Sequence, residues 1–79
     1  MSAEIEQRLI SVIADVFNAD PAAITRETVA DDVDGWDSLA HTVLMMRLER
    51  VFAVRIDEAI ASGAGNVGEL ADAIARLAD

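Results

Sequence analysis

Three stretches of helical period constrain the fold of this chain more than any other feature. Apolar residues recur at steps of three and four over residues 3–17, 38–53 and 67–78. This spacing places apolar side chains along one face of an α-helix, which buries that face against its neighbours. The pattern therefore predicts an all-α fold with three main helices.

A shorter helix is predicted between the second and third of these stretches. Asp57 is placed to cap its start, and Ile56 and Ile60 supply its apolar anchors. The helix is expected to end at Ser62, with Gly63 in the left-handed conformation that commonly follows a helix. The predicted arrangement is a four-helix bundle in which the third helix is short.

The connection between the first two main helices is long. No helical period is sustained from residue 18 to residue 37. A loop of about 20 residues is unusual in a compact domain unless it is functional or well packed. Ile24 and Val29 are expected to pin this loop to the core, with Val33 or Trp36 as further anchors.

Two aspartates in the loop invite comparison with a calcium-binding EF-hand, because Asp32 and Asp34 precede Gly35. If Gly35 takes the glycine position of that motif, Ala30 falls at the first ligand position and His41 at the twelfth. Neither residue supplies the required carboxylate. No dedicated metal site is predicted, and only weak association of divalent ions with the carboxylates stays open.

The chain is strongly acidic, with 15 Asp and Glu residues against 6 Lys and Arg residues and a net charge of −9. Nucleic acids and anionic membrane surfaces are not expected as partners, because binding them needs clustered basic residues. Partners with a basic face are favoured instead. No apolar run approaches the ~20 residues that span a bilayer, and no signal peptide is recognised. We expect residues 1–79 to form a single domain, a monomer that stays in the cytoplasm.

A serine stands where the acidic loop meets the second main helix, in the segment Gly35-Trp36-Asp37-Ser38-Leu39. The first backbone N–H groups of a helix have no partner inside it, and the helix dipole favours negative charge there. Ser38 supplies a primary hydroxyl at that place, with Asp37 beside it. The position suits a phosphate group.

Asp37-Ser38-Leu39, followed by an apolar helix, resembles the attachment motif of acyl carrier proteins, and the helix order is similar to theirs along essentially the whole chain. The resemblance implies that a phosphopantetheinyl transferase attaches 4′-phosphopantetheine from coenzyme A to Ser38. It implies a non-catalytic carrier that holds acyl intermediates as thioesters for fatty acid, modified-lipid or polyketide-type biosynthesis. Acyl-loading and acyl-transfer enzymes would be its further partners. Since the chain contains no cysteine, the thiol must come from the prosthetic group.

Apolar residues cover more of the second main helix than one core contact needs. The stripe expected to face the interior comprises His41, Leu44, Met45, Leu48 and Phe52. A second stripe would be partly exposed beside Ser38, as a docking surface should be. The residues predicted to bind partners include this second stripe and its neighbours: Leu39, Val43, Met46, Arg47, Glu49, Arg50, Asp34 and Trp36.

In acyl carrier proteins the acyl chain enters between the second and third helices. The resemblance therefore implies a pocket for the chain between the corresponding helices here. The predicted residues of this acyl pocket are Leu44, Met45, Leu48, Ile56 and Ile60.

The charges of the second main helix differ from the usual pattern of the family, and this difference narrows the range of pathways expected. Carriers of fatty acid synthesis typically have many acids on the second helix, whereas this helix has Glu49 against Arg47 and Arg50. Ala40 and Val43 stand where acids would be expected. Because charge complementarity governs the choice of partner, we expect a dedicated partner set and a specialised rather than housekeeping carrier.

Two alternatives stay open. A peptidyl or aminoacyl carrier would use the same serine, and an acidic helical adaptor would need no modification at all. A hydrolase is disfavoured. Ser38 and His41 lie three residues apart on a helix, and Asp37 is an available acid, but catalysis also needs oxyanion donors and a water-excluding pocket. No Gly-x-Ser-x-Gly elbow is present either.

Overall fold

The computed structural model describes residues 2–78, which form four α-helices in chain order. They are α1 (Ser2–Phe17), α2 (Ser38–Phe52), α3 (Glu58–Gly63) and α4 (Val67–Ala78). No strand occurs among residues 2–78. The prediction of an all-α bundle with a short third helix is confirmed. None of the helices in this described range is long and apolar enough to cross a membrane.

The core lies where the apolar faces of the three long helices meet. α1 packs against both α2 and α4, and α3 packs against α4. The largest side chains that are fully buried come from all three long helices; they are Leu9, Ile13, Leu44, Leu48, Val67 and Ile74. Each of these positions belongs to a stretch whose period predicted a buried face, so packing follows the sequence pattern directly.

The short helix α3 begins as its sequence predicts and ends differently. The carboxylate of Asp57 accepts a hydrogen bond from the N–H of Ile60 at 2.9 Å, which satisfies a donor that the helix leaves free. The left-handed conformation predicted for Gly63 is wrong. α3 includes Gly63, and Ala64 follows in an extended conformation (φ −81°, ψ 116°). The chain therefore leaves α3 without the sharp reversal that a left-handed residue would give.

Between α1 and α2 the chain forms two single 3₁₀ turns, Pro21–Ala23 and Ala30–Asp32. Asp20 caps the first turn by accepting a hydrogen bond from the N–H of Ala22 at 2.9 Å. Proline at the first position of the turn suits this geometry, because its fixed φ is already helical and it has no N–H to leave unpaired.

Only one residue of the expected pair anchors the loop. Ile24 is buried, as predicted, but Val29 is 37% exposed, so the prediction for Val29 is wrong. Thr28 is buried in its place, and its hydroxyl accepts a hydrogen bond from the N–H of Thr25 at 2.8 Å. The carbonyl of Thr28 accepts from the N–H of Val67 at 2.9 Å. A polar residue can be buried here because its polar atoms are bonded.

Arg26 ties the same loop to two helices. Its guanidinium donates hydrogen bonds to Asp72 on α4, at 3.0 Å, and to Glu6 on α1. These bonds raise the pKa of Arg26 above its ordinary value, with the bond to Asp72 contributing most. The carbonyl of Arg26 accepts from the N–H of Gly68 at 2.9 Å. A Cβ atom at Gly68 would lie 2.9 Å from the guanidinium, so glycine there lets the arginine cross the start of α4.

Candidate functional site

Ser38 is the first residue of α2, and its side chain is exposed. Gly35, with φ of 87°, turns the chain just before it, a conformation that glycine adopts without strain. Asp37 is the N-cap, and its carboxylate accepts from the N–H of Ala40 at 2.8 Å. Its carbonyl accepts from the N–H of His41 at the same distance. The serine hydroxyl is therefore presented to solvent from a fixed, well-capped helix start.

Two backbone donors remain at this helix start. Among the hydrogen bonds within residues 2–78, the N–H groups of Ser38 and Leu39 take no part. They belong to the first turn of α2, where no carbonyl precedes them within the helix. Together with the dipole of a 15-residue helix, they make the position favourable for an anion bound beside the serine hydroxyl.

Trp36 packs inward from the end of the loop. Its ring stacks on Phe17 at the end of α1, with centroids 5.1 Å apart, and on His41 of α2, with centroids 6.1 Å apart. The indole N–H donates to Nδ1 of His41 at 3.0 Å. Trp36 thus fastens the turn that presents Ser38 to both neighbouring helices.

The hydrogen bonds of His41 define which nitrogen carries its proton. An indole N–H only donates, so Nδ1 of His41 must accept the bond from Trp36. In the neutral ring the proton then lies on Nε2, which is 3.0 Å from the carbonyl oxygen of Ala61 and donates to it. His41 is half-buried, and its ring joins the loop and α2 to α3. With both nitrogens committed, it is not placed to act as a base toward Ser38.

Two surface hollows flank Ser38. The first, which we call the tryptophan groove, has a volume of about 370 Å³ and is lined by Ala30, Trp36, Asp37, Ser38 and His41. The second has a volume of about 470 Å³ and runs between α1 and α2, past Val16, Phe17, Leu39 and Val43. Ser38 itself lines the first hollow, and its neighbours Asp37 and Leu39 line the second.

A smaller hollow of about 80 Å³, the inner cavity, lies behind Trp36 and His41. It reaches Val67 and Leu70 on α4, which are buried. Its other side is formed by Ala64, Gly65 and Asn66, where it opens to solvent.

The second apolar stripe of α2 is exposed beside Ser38. Leu39 is 76% exposed, Met46 61% and Val43 47%. These three side chains lie on the face that the helical period assigned to them. A contiguous group of large apolar side chains on a small acidic protein is typical of a surface that binds another protein.

The charged residues predicted to bind partners fall into two groups. Asp34 and Arg50 are exposed, and so is Arg47, which donates to Asp15 on α1 at 3.3 Å. Glu49 is half-buried, and its carboxylate accepts from the N–H of Ile56 at 2.7 Å. Glu49 thus holds the chain that follows α2.

The residues predicted for the acyl pocket lie close together, but they are packed as core. Leu44, Met45, Leu48 and Ile56 are buried members of one hydrophobic cluster, and Ile60 packs against it half-buried. They do not line the two hollows beside Ser38, nor the inner cavity. A chain that reached these residues would have to part them.

Sequence reasoning missed the contacts that surround Ser38. Trp36 was assigned to partner binding or to the loop anchor, and His41 to the interior. Their mutual hydrogen bond and the bond to Ala61 were not foreseen. Ala61 contributes a backbone carbonyl, which every residue type possesses, so no signal in the sequence marks it. Within residues 2–78, no group of three or more His, Asp and Glu side chains is arranged to hold a metal ion.

Comparison with known proteins adds to this geometry. A family model described as "Phosphopantetheine attachment site" matches residues 7–74. An acyl carrier protein of Porphyromonas gingivalis is 32% identical over 71 residues, which cover 90% of this chain and 91% of that protein. An acyl carrier protein of Amoebophilus asiaticus is 36% identical over 70 residues, which cover 87% of this chain and 86% of that one.

Members of this family are carriers rather than catalysts. The start of α2 fits a phosphopantetheine group. Its exposed serine hydroxyl can carry a phosphodiester, and its two unbonded N–H groups favour the negative charge of that phosphodiester. From the family match, the two relatives and this helix start, the chain belongs to the acyl carrier protein family and carries covalently attached 4′-phosphopantetheine.

Proposed function

We propose that Ser38 is the attachment point of the 4′-phosphopantetheine arm, and that residues 1–79 act as a single carrier domain for acyl intermediates. The observation that carries the proposal is the exposed hydroxyl of Ser38 at the capped start of α2. The arm supplies the thiol that holds the acyl group as a thioester, because the chain has no cysteine of its own.

The attachment reaction is performed by a phosphopantetheinyl transferase. Oγ of Ser38 attacks the β-phosphorus of coenzyme A, the bond from that phosphorus to the oxygen bridging the two phosphates breaks, and adenosine 3′,5′-bisphosphate leaves. The hydroxyl proton passes to a base on the transferase, which also brings magnesium. Positioning and charge neutralisation do most of the work in such transfers, so the carrier need only present an exposed, fixed serine.

After transfer, one negative charge remains on the phosphodiester at Ser38. The dipole of α2 and the N–H groups of Ser38 and Leu39 favour that charge, by about 0.3–1 kcal/mol at an exposed site. The capping bond from Ala40 to Asp37 keeps the first turn formed while the arm moves. The modification therefore does not oppose the helix that carries it.

The exposed stripe of α2 is proposed as the docking surface for the transferase and for the acyl-loading and acyl-transfer enzymes. Leu39, Val43 and Met46 form its apolar centre. Two arginines and one aspartate border it: Arg47, Arg50 and Asp34. Trp36 and Glu49, which the sequence also assigned to partner binding, are given a scaffold role instead, because their polar side-chain atoms are bonded within the chain.

The charge on this surface supports a specialised pathway. The exposed charges of α2 are basic, so a partner whose docking site is lined with basic residues alone is matched poorly. We therefore propose a dedicated set of partners in polyketide-type or modified-lipid biosynthesis, and a monomer that acts in the cytoplasm. Turnover with a ketosynthase of housekeeping fatty acid synthesis is expected to be at least about tenfold below that of its own carrier. Full turnover would contradict this assignment.

Intact-mass measurement tests the attachment directly. The protein is incubated with coenzyme A, magnesium and a transferase of broad specificity. The unmodified sequence and the control Ser11→Ala, which removes another exposed hydroxyl, should each gain the mass of one 4′-phosphopantetheinyl group. Ser38→Ala should gain none. A gain in Ser38→Ala would overturn the assignment, and no gain in any of the three would favour the unmodified adaptor.

A further inference from the structure

Arg50 continues the exposed apolar stripe of α2 toward the far end of the helix. The side chains of this face follow one another at steps of three and four residues, and all are exposed; they are Leu39, Val43, Met46 and Arg50. At a rise of 1.5 Å per residue, Arg50 lies about 16 Å along the helix axis from Leu39. The apolar stripe therefore ends in a cation.

Arg50 has no partner within the part of the chain that the structure describes. No salt bridge or side-chain hydrogen bond among residues 2–78 involves it. The other charged residues of α2 are engaged: Arg47 donates to Asp15 on α1, and Glu49 accepts from the N–H of Ile56. Within the described residues, Arg50 is thus the charged side chain of α2 that stays available to a bound protein.

The helix dipole gives one reason for an arginine at this position. Arg50 lies in the last turn of α2, where a cation is favoured. That role would stabilise the helix and leave the binding of a partner unchanged. Recognition of a partner would instead alter binding according to the partner's own charge, so the two roles are separable by measurement.

The opposite end of the same face is acidic. Asp34 is exposed, and it lines the hollow between α1 and α2 together with Leu39 and Val43. It takes part in no salt bridge among residues 2–78. The face therefore presents a carboxylate near Ser38, apolar side chains in the middle and a guanidinium at the far end. A protein that covers this face has to match that order of charges.

We propose that Arg50 selects partner enzymes by pairing with a carboxylate on their docking face. The proposal rests on the proposed attachment of the arm to Ser38, which brings these enzymes to α2. Such an enzyme has an apolar patch opposite the stripe and an Asp or Glu side chain opposite Arg50, about 16 Å from the point where Leu39 docks. A guanidinium binds a carboxylate through two parallel hydrogen bonds, which adds geometric specificity to the charge.

Arg50 also disfavours an enzyme whose docking face is wholly basic. A cation of that enzyme would meet Arg50 with no carboxylate of α2 free to compensate, because Glu49 is half-buried and bonded to Ile56. Like charges brought together at an interface weaken binding. The same side chain therefore attracts one class of partner and repels the other.

Charge reversal at Arg50 tests the repulsion. The probe is a ketosynthase of housekeeping fatty acid synthesis chosen for its basic docking face. A broad transferase loads the protein from hexanoyl-coenzyme A, intact mass verifies loading, and transfer of the hexanoyl group to the ketosynthase is followed. Arg50→Glu should raise the second-order rate constant about fivefold, the factor that corresponds to a strong exposed ion pair. The rise should shrink at high ionic strength, because exposed charges are screened.

A second probe tests the attraction. It is the same ketosynthase with the Lys and Arg side chains of its docking face replaced by glutamate. With this enzyme the order should reverse, and the unmodified sequence should transfer its hexanoyl group about fivefold faster than Arg50→Glu. An unchanged order with the two enzymes would show that Arg50 does not sense the charge of the partner, and it would overturn the proposal.

Arg55→Glu is the matched control. Arg55 is exposed, forms no salt bridge within residues 2–78 and follows α2 instead of lying on the stripe. The variant changes the net charge as Arg50→Glu does, so its rates should differ less than twofold from those of the unmodified sequence. Equal effects of the two variants would assign the result to overall charge and overturn the proposal. Arg50→Gln removes the cation alone, should act in the same directions about twofold, and replaces Arg50→Glu if that protein does not fold.

Failure of this proposal is distinguishable from failure of the proposed attachment. If Ser38 accepts no arm, the mass measurement shows it before any transfer is followed. If the arm is loaded and Arg50→Glu leaves both rates unchanged, the dipole accounts for the arginine and the proposal fails. Sedimentation of the unmodified protein tests a second copy as the occupant of the stripe. A monomer is expected, and a dimer that Arg50→Glu dissociates would assign the stripe to self-association instead.

Discussion

The two connections that border α2, the α1–α2 loop (residues 18–37) and the α3 segment (residues 53–66), are held in opposite ways. The loop has little regular structure but is fixed by buried Ile24 and Thr28, by the Arg26 ion pairs and by two backbone bonds to α4. The α3 segment contains a capped helix in which no residue is buried, and its one buried side chain, that of Ile56, lies before this helix. We therefore expect the number of buried and bonded groups, rather than regular secondary structure, to decide which of the two connections is the more rigid.

The difference matters because the two regions do different work around Ser38. The loop ends in the turn that presents Ser38, which has to keep one geometry under the attachment that we propose. The α3 segment borders the smaller hollow behind Trp36 and His41, and the carbonyl of Ala61 bonds it to His41. The five predictions that follow compare how firmly the two regions are held, beginning with the largest expected effect.

Truncation of an apolar side chain should cost far more in the loop than in α3. Ile24→Ala removes a buried side chain and should lower the free energy of unfolding by about 2–4 kcal/mol, the usual cost of such a cavity. Ile60→Ala removes a half-buried one and should cost about 1 kcal/mol. Urea titration measures both. Equal losses would show that α3 is held as firmly as the loop.

Removal of a helix cap should speed amide hydrogen exchange more in α3 than in the loop. Asp57→Ala removes the cap of α3 and Asp20→Ala that of the first 3₁₀ turn. Loss of a cap costs about 1 kcal/mol, so amide hydrogen exchange in α3 should become about fivefold faster in Asp57→Ala. In Asp20→Ala, the exchange of loop amides should change less, because Ile24 and Thr28 still hold the loop. A larger change in the loop than in α3 would reverse the comparison.

The Arg26 ion pairs should contribute less, and in a manner that depends on salt. Arg26→Gln should lower Tm at low ionic strength and have a smaller effect at high ionic strength, because exposed charges are screened. The control is Arg55→Gln in the α3 segment, which forms no salt bridge within residues 2–78. A drop in Tm independent of salt would assign the role of Arg26 to packing.

The Arg26 ion pairs also determine how the stability that Arg26 contributes depends on pH. The pKa of Arg26 is raised in the folded chain by its bonds to Asp72 and Glu6. A raised pKa in a cation stabilises the fold at every pH below its unfolded value, and that contribution is lost only as pH rises through the raised value. The difference in Tm between Arg26→Gln and the unmodified sequence should therefore stay constant from pH 7 to pH 9.

The smallest effect is expected at the residues that open the two connections. Asn18 begins the loop with φ of 53°, and Ala53 begins the α3 segment with φ of 54°. Asparagine tolerates this left-handed conformation, whereas alanine does so at a cost. Ala53→Gly should raise the free energy of unfolding by about 0.5 kcal/mol, since relief of strain exceeds the added entropy of the unfolded chain. Asn18→Gly should change it by less. Chemical denaturation of the two variants provides the comparison.

Much of the site followed from local sequence. Asp37 and Asp57 were predicted beside helix starts, and both accept the capping hydrogen bond from a residue three positions on. The exposed stripe of Leu39, Val43 and Met46 followed from the helical period. The role of Val29 and the conformation of Gly63 were predicted wrongly, because burial and chain direction at a connection depend on what the rest of the fold places against it.

The sequence by itself determined the four helices, the serine at the start of α2 and the sign of the charge around it. These features depend on residues within about four positions of one another, so pattern and capping chemistry suffice to predict them. Only the tertiary structure decided that His41 bonds to Ala61, 20 positions away, and that Arg26 bonds to Asp72, 46 positions away. Such partners are chosen by the packing of whole helices, and one of them is a backbone carbonyl that carries no sequence signal.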